Sequence, residues 1–280
     1  MNILLAIDGS RSAQWAGDYL RAIPLQEPSS VHVVSVVEDW PWPPSMGWTQ
    51  DKIDAVLQDA REEAHRRVEE TAGRLRERWP NVRASVADGW PAEQLLETIQ
   101  ADDIDLVVLG ARGQSEAASF RLGGVAQKVA THAPCSVLIV KRQVRAFRRV
   151  LVALDGSEHA QRAVRFVQDE LQPDGLDVSV LYVWDRPVPP PSERAKSQLR
   201  TIEHQQADAL KEAGFKARGL FEVGHPVDRI VEVAEARDPH LIVMGSRGLT
   251  GWKQILLGSV SQRVIRYSTS SVLIVRERPS

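Results

Sequence analysis

Short unbroken apolar runs alternate along this chain with longer stretches in which apolar positions recur every three to four residues. The runs Ile3–Ile7, Val31–Val37, Val82–Val86, Leu106–Leu109 and Val137–Val140 read as strands. Their lack of polar alternation suits strands covered on both faces, as in a parallel sheet. Between them, Ser12 to Leu20 and Asp51 to Trp79 have helical periodicity; in the second, Ile53, Val56, Leu57, Ala60, Ala64, Val68, Ala72 and Leu75 form the apolar stripe. Pro91 opens a further helix through Ile99, at the position where proline costs no hydrogen bond. The second half predicts strands at Val150–Leu154, Val178–Val183, Ala217–Val223, Leu241–Met244 and Val272–Val275. Helices are predicted at Ser192 to Ala213 and Val260 to Tyr267. Strands alternating with helices argue for an α/β fold, a doubly wound parallel sheet with helices on both faces.

The two halves are copies. Asn2 to Ala16 reads NILLAIDGSRSAQWA and Arg149 to Ala163 reads RVLVALDGSEHAQRA. Gly110-Ala-Arg112-Gly113 recurs as Gly245-Ser-Arg247-Gly248, and the closing Ser136-Val-Leu-Ile-Val140 recurs as Ser271-Val-Leu-Ile-Val275. The expected domains are residues 1–142 and 148–280, joined by a basic connector, Lys141 to Arg148.

The candidate chemistry lies in Gly245 to Ser259, GSRGLTGWKQILLGS, between a strand and a helix. Glycines let backbone amides approach a bound group, and a helix N-terminus offers N–H donors with partial positive charge. The stretch is a phosphate cradle on one reading and a glycine turn with a serine N-cap on the other. Ser259 either caps the helix or turns its hydroxyl to a phosphate. Ligands of doubly wound sheets bind beyond the carboxyl ends of the strands. Asp155 and Gly245 both stand there. Asp8 and Asp155, each before Gly-Ser, also suit a local Asx turn.

Totals narrow the partners. With 35 basic and 37 acidic side chains the net charge is −2, so no electrostatic excess holds nucleic acid or an anionic membrane. No apolar run approaches the roughly 18 residues of a membrane span, and MNILLAIDGS lacks the basic lead of a secretion signal. The expected location is the cytoplasm. The single cysteine, Cys135, excludes an intrachain disulfide and reads as packing. His65, His132, His159, His204 and His225 show no metal-ligand spacing and read as surface or capping residues. Trp40 to Trp48, WPWPPSMGW, is a lid, a partner surface or loop packing. The Walker and GxGxxG phosphate motifs are absent.

The Asp-Gly-Ser turn after strand one, Gly89-Trp90-Pro91 and Gly224-His225-Pro226 before the third helix of each copy, and the G-x2-G-x9-G-S loop together resemble the universal stress protein family. The resemblance covers nearly the whole chain, twice. It implies two tandem Rossmann-like, adenine-nucleotide-binding domains of five strands in the order 3-2-1-4-5. It implies that ATP lies against Ala153, Asp155 and Val183, with its phosphates on Gly245, Gly248, Gly258, Ser259, Val260 and Ser261. Arg247 reaches the phosphates or pairs with a carboxylate. Asp155 is a candidate to meet Mg²⁺ through water. The first copy offers a weaker set: Asp8, Val36, Gly110, Gly113, Gly123 and Gly124. There Gly124 and Ala126 stand where Ser259 and Ser261 stand, so two hydroxyls are missing. The resemblance further implies that the closing strands pair as an internal pseudo-dimer, with homodimerisation of whole chains beyond it. The functional expectation is an ATP-binding stress-response regulator, a switch or adaptor for an unidentified protein partner. A slow ATPase or nucleotidyl-transfer enzyme, and a nucleotide-free scaffold, are the alternatives.

Overall fold

The computed structural model describes residues 1–28, 30–38, 49–113, 122–185, 193–248 and 257–277, without the side chains of 193–200. The tryptophan-rich stretch 40–48 and the proline-rich stretch 187–191 lie outside the described residues, as do the middles of both glycine loops.

The first copy runs β1 (Asn2–Ala6), α1 (Arg11–Ala22), β2 (Ser30–Val37), α2 (Gln50–Arg76), β3 (Val82–Asp88), α3 (Pro91–Ala101), β4 (Leu106–Gly110), α4 (Gly124–His132) and β5 (Ser136–Val140). The second repeats it as β6 (Arg149–Leu154), α5 (Glu158–Glu170), β7 (Asp177–Trp184), α6 (Glu193–Glu212), β8 (Lys216–Val223), α7 (Pro226–Arg237), β9 (Leu241–Gly245), α8 (Ser259–Tyr267) and β10 (Ser271–Val275). Every expected strand is present, with ends shifted by one or two residues.

Among the described residues one ten-stranded sheet forms, in the order β3-β2-β1-β4-β5-β10-β9-β6-β7-β8. Within each copy the strands are parallel and follow 3-2-1-4-5; only β5 and β10 meet antiparallel, with Leu138 opposite Leu273. The closing strands therefore join the two copies, as the resemblance implied. Side chains alternate across a strand. Along the seam Leu138, Val140, Leu273 and Val275 feed the core under α1, α2, α5 and α6, while Val137, Ile139, Val272 and Ile274 feed the core under α3, α4, α7 and α8. Both apolar cores run through the seam from one copy into the other.

The connector is tied down. Arg142 pairs with Asp238, which Arg149 also engages at 2.7 Å. The Tyr19 hydroxyl donates to His240 O across the copies at 2.9 Å. At the C-terminal ends of α1 and α5 the two copies exchange backbone bonds, Gln26 N to Glu170 O and Gln172 N to Pro24 O. Cys135 is buried at 1% exposure, and burial pushes its thiol up to about 11.

One charged core position was not foreseen. Glu203 of α6 is 1% exposed. Ala207 and Leu210 repeat the spacing of Ala72 and Leu75, so Glu203 falls where α2 places Val68. Gly219 makes the room: a Cβ there would lie 2.9 Å from Glu203 Cγ.

Candidate ligand crevice at the strand ends

Each Asp-Gly-Ser turn is built the same way. The glycine of each turn sits at positive φ, 83° at Gly9 and 84° at Gly156, a conformation glycine adopts without steric cost. Ser10 N donates to Asp8 Oδ1 at 2.9 Å, and Ser157 N to Asp155 Oδ1 at 2.9 Å. Ser10 and Ser157 then cap α1 and α5 by accepting from Ala13 N and Ala160 N. The Asx-turn reading of both aspartates holds. It engages one carboxylate oxygen and leaves the other, Oδ2, turned to the glycine loop.

The loop crosses this carboxylate closely. A Cβ at Gly248 would lie 2.5 Å from Asp155 Oδ2, and one at Gly113 would lie 3.0 Å from Asp8 Oδ2. The loop's first glycines answer a different demand. A Cβ at Gly245 would meet the backbone carbon of His159 at 2.6 Å, and one at Gly110 that of Ser12 at 2.6 Å. These two positions are glycine because α1 and α5 pack onto the strand ends, a cause that requires no ligand. At the far end Gly258 N donates to Ser246 O at 2.7 Å, and Gly123 N to Ala111 O at 2.8 Å, which closes each loop onto its strand.

The serine readings are corrected by the geometry. Gly258, with φ −69° and ψ 155°, is the N-cap of α8 and no side chain caps it, so Ser259 is the first helical residue and not the cap. Ser259 is exposed. Ser261 is 3% exposed, and its hydroxyl donates to Gly245 O at 2.9 Å. It fastens the helix to β9 rather than presenting its O–H to a phosphate. The asymmetry between the copies is thus one exposed hydroxyl, Ser259 against Gly124, together with one buried strut, Ser261 against Ala126.

The remaining expected residues gather at the same strand ends. Ala153 and Leu154 close β6, Val183 is the next-to-last residue of β7, and Val260 lies in the first turn of α8. Arg247 is half-buried beside His159, whose imidazole is held below its usual value by burial and then by Arg247 and Arg162. Tyr182, unremarked in the sequence, stacks on Phe221 with centroids 6.0 Å apart, and its hydroxyl comes near Gly156. Burial, then Asp155 and Glu203, raise its phenol. In the first copy the register puts Ser35 at this place, with Ser35 opposite Val86 as Tyr182 is opposite Phe221.

The first copy holds an open cavity of ≈ 740 Å³ at the carboxyl ends of its strands. Asp8, Val36, Gly110, Gly113, Gly123 and Gly124, the whole weaker set, border it. Sequence reasoning missed its side wall, Val56 and Leu57 of α2, because their 3-4 spacing looks like ordinary core.

Another unforeseen cluster sits outside the crevice. His32, 7% exposed, bonds Asp102 at 2.7 Å through Nδ1 and the Ser85 hydroxyl at 2.8 Å through Nε2. Burial holds its pKa down, opposed by Asp102. No group of three metal-ligating side chains occurs among the described residues. No helix among them is long and apolar enough to cross a membrane.

Comparison with known proteins matches the sequence model of the Universal stress protein family to residues 1–141 and again to 146–276. Universal stress protein Rv2623 of Mycobacterium tuberculosis is 29% identical over 307 aligned positions, covering 99% of this chain and 97% of its own. A universal stress protein of Thermus aquaticus is 36% identical across 46% of this chain and 99% of its own length. The solved universal stress protein of Archaeoglobus fulgidus DSM 4304 superposes over 98% of both chains with a TM-score of 0.69 at 23% identity, a likeness of fold.

Proposed function

The chain belongs to the universal stress protein family, and from that premise we propose that it is an ATP-binding stress-response regulator whose second copy carries the nucleotide. The observation that carries this reading is the apposition of Gly248 and Asp155. The loop passes the aspartate at a distance where a Cβ would stand 2.5 Å from Oδ2. It then opens α8 with the exposed Ser259. A carboxylate for the ribose side, a close backbone cradle and a helix N-terminus for the phosphates are the parts an adenylate needs. The first copy lacks the Ser259 hydroxyl and holds ATP weakly or not at all.

Magnesium, in this reading, arrives on the phosphates. Asp155 Oδ1 is taken by Ser157 N, and no further carboxylate completes a ligand set among the described residues. The donor set fits only a contact through water from Asp155 to an ion that the nucleotide itself holds.

Nucleotide occupancy changes the surface around the second glycine loop, and a protein partner reads that change. Occupancy can shift partner binding only by its differential affinity for the two states. The protein acts as a switch or adaptor in the cytoplasm, as single chains or as homodimers of them.

Calorimetric titration of the full chain with ATP, in magnesium, tests the reading. One tight site per chain is expected, lost in Gly248→Asp. Unchanged affinity in that variant, or no binding to the wild type, would remove the second copy as the nucleotide site.

A further inference from the structure

The first copy lacks the Ser259 hydroxyl without closing its crevice, and an indole, Trp90, stands at its border where the second copy has His225. Four large apolar side chains are exposed among the described residues: Val56 at 40%, Trp90 at 48%, Val125 at 37% and Tyr267 at 57%. Three of them, Val56, Trp90 and Val125, border the ≈ 740 Å³ cavity. Isolated exposed apolar residues need no explanation, whereas their convergence on one concave site does. They come from three separate elements, α2, the cap of α3 and the first turn of α4. In the second copy the residue at the place of Trp90 is His225, and at the place of Gly124 is Ser259. Imidazole gives way to indole and the serine hydroxyl to hydrogen, while Val125 is matched by Val260.

The charges decide what else the ligand carries. Arg67, Arg112 and Lys128 line the cavity, and so do Asp8, Glu38 and Glu93. Lys128 is paired with Glu93, and Arg67 donates to Asp8 O at 3.2 Å. Three cations against three anions leave no surplus to neutralise a polyphosphate. They suit a single anionic head placed near Arg112 and the opening turn of α4. The volume lies within the roughly 300–1,000 Å³ of small-molecule sites, which are mostly apolar with a few polar groups.

We propose that the first copy is a site for a small amphipathic monoanion, an aromatic or acyl body bearing one carboxylate or sulfonate. The body lies against Val56, Trp90 and Val125, and the head faces Arg112. The chain then carries two unlike ligand sites, one in each copy of the same fold.

Fluorescence titration of the full chain with 1-anilinonaphthalene-8-sulfonate tests this, with decanoate as a competitor. One saturable site displaced by decanoate is expected. Trp90→Ala and Val125→Asp should each weaken it at least tenfold, while His225→Ala should not. Trp90 is half-exposed, and an aspartate is favourable in the first turn of a helix, so neither change threatens the fold. Unchanged dye affinity in both variants would overturn the proposal, as would failure of decanoate to compete or equal loss in His225→Ala. Gly248→Asp separates the two sites: dye binding that persists there stands whether or not ATP binds the second copy. Dye displaced by ATP in that same variant would make the first crevice another nucleotide site and sink the proposal.

Discussion

Lys141 and Arg276 each terminate a helix that belongs to the other copy. They stand at equivalent places, one residue beyond β5 and β10. The Lys141 ammonium donates to Ile265 O and Ser268 O at the end of α8. Arg276 donates to Ala133 O at 2.7 Å and Ala130 O at 2.5 Å at the end of α4. The main chain repeats the exchange, Lys141 N to Ser271 Oγ and Arg276 N to Ser136 Oγ, both at 3.2 Å. Cations at helix C-termini are favoured by the helix dipole as well as by the orphan carbonyls. Burial lowers both, Lys141 to about 8 and Arg276 to about 10. The helices clamped at their C-termini are those whose N-termini face the two crevices.

Removing either clamp should loosen the seam. Lys141→Met and Arg276→Met are each expected to cost about 2–3 kcal/mol, since hydrogen bonds to charged groups contribute roughly 1.5–3 kcal/mol each. Urea unfolding measures it, with the exposed Lys52→Met as control. A cost below about 0.5 kcal/mol, the range of neutral surface changes, would mean the clamps are incidental.

The glycines separate by cause. Gly245→Ala should destabilise by more than about 2 kcal/mol, the scale of overpacking in a closed site, because the new Cβ would stand 2.6 Å from the His159 backbone. Gly73 lies inside α2 with nothing within 4 Å of its Cβ position, so Gly73→Ala should stabilise by roughly 0.5–1 kcal/mol. Thermal unfolding of both variants reads the contrast, and similar shifts would contradict the packing account.

Ser259 and Ser261 should part in the same way. Ser259→Ala is expected to leave stability within about 0.5 kcal/mol, as for exposed positions. It should weaken ATP by roughly tenfold to about 150-fold, the worth of one hydrogen bond to a charged group. Ser261→Ala should instead cost about 1–2 kcal/mol of stability, because it leaves Gly245 O without its buried donor. Paired titration and unfolding experiments test this. The reverse assignment would return Ser261 to the phosphate.

His32 should make the protein acid-sensitive. Burial holds its folded pKa below the ordinary 6.5, against the pull of Asp102. The unfolded chain therefore takes up the proton first as pH falls. Stability is present in full above about 6.5 and is lost as pH drops through the lower folded value. His32→Gln should flatten this part of the profile, compared by urea unfolding at pH 7.5 and pH 5. His159 and His240 are also lowered, so some slope remains. Identical slopes in wild type and variant would show that His32 carries none of it.

The repeat, the strand positions and the parallel α/β class were legible in the residues alone. They follow from unbroken apolar runs, from the 3.6-residue period between them and from turns such as Asp8-Gly9-Ser10, all of which are local. The crevice was legible only in outline, because the chain names the residues at the strand ends without saying which way each one faces. Ser261 looked like a phosphate ligand by spacing, yet its position two residues into α8 points it at Gly245 O. Gly245 looked like a cradle glycine, yet the approach of His159 accounts for it.

What the amino-acid order determined was which elements form and that they form twice, since hydrophobic patterning and turn chemistry act over a few residues. What the tertiary structure decided was the use of individual side chains whose partners lie far off in sequence. Lys141 reaches Ser268, His32 reaches Asp102, and Val56, Trp90 and Val125 meet around one cavity. Such pairings depend on how helices settle on the sheet, so burial and direction, not residue type, assign the roles.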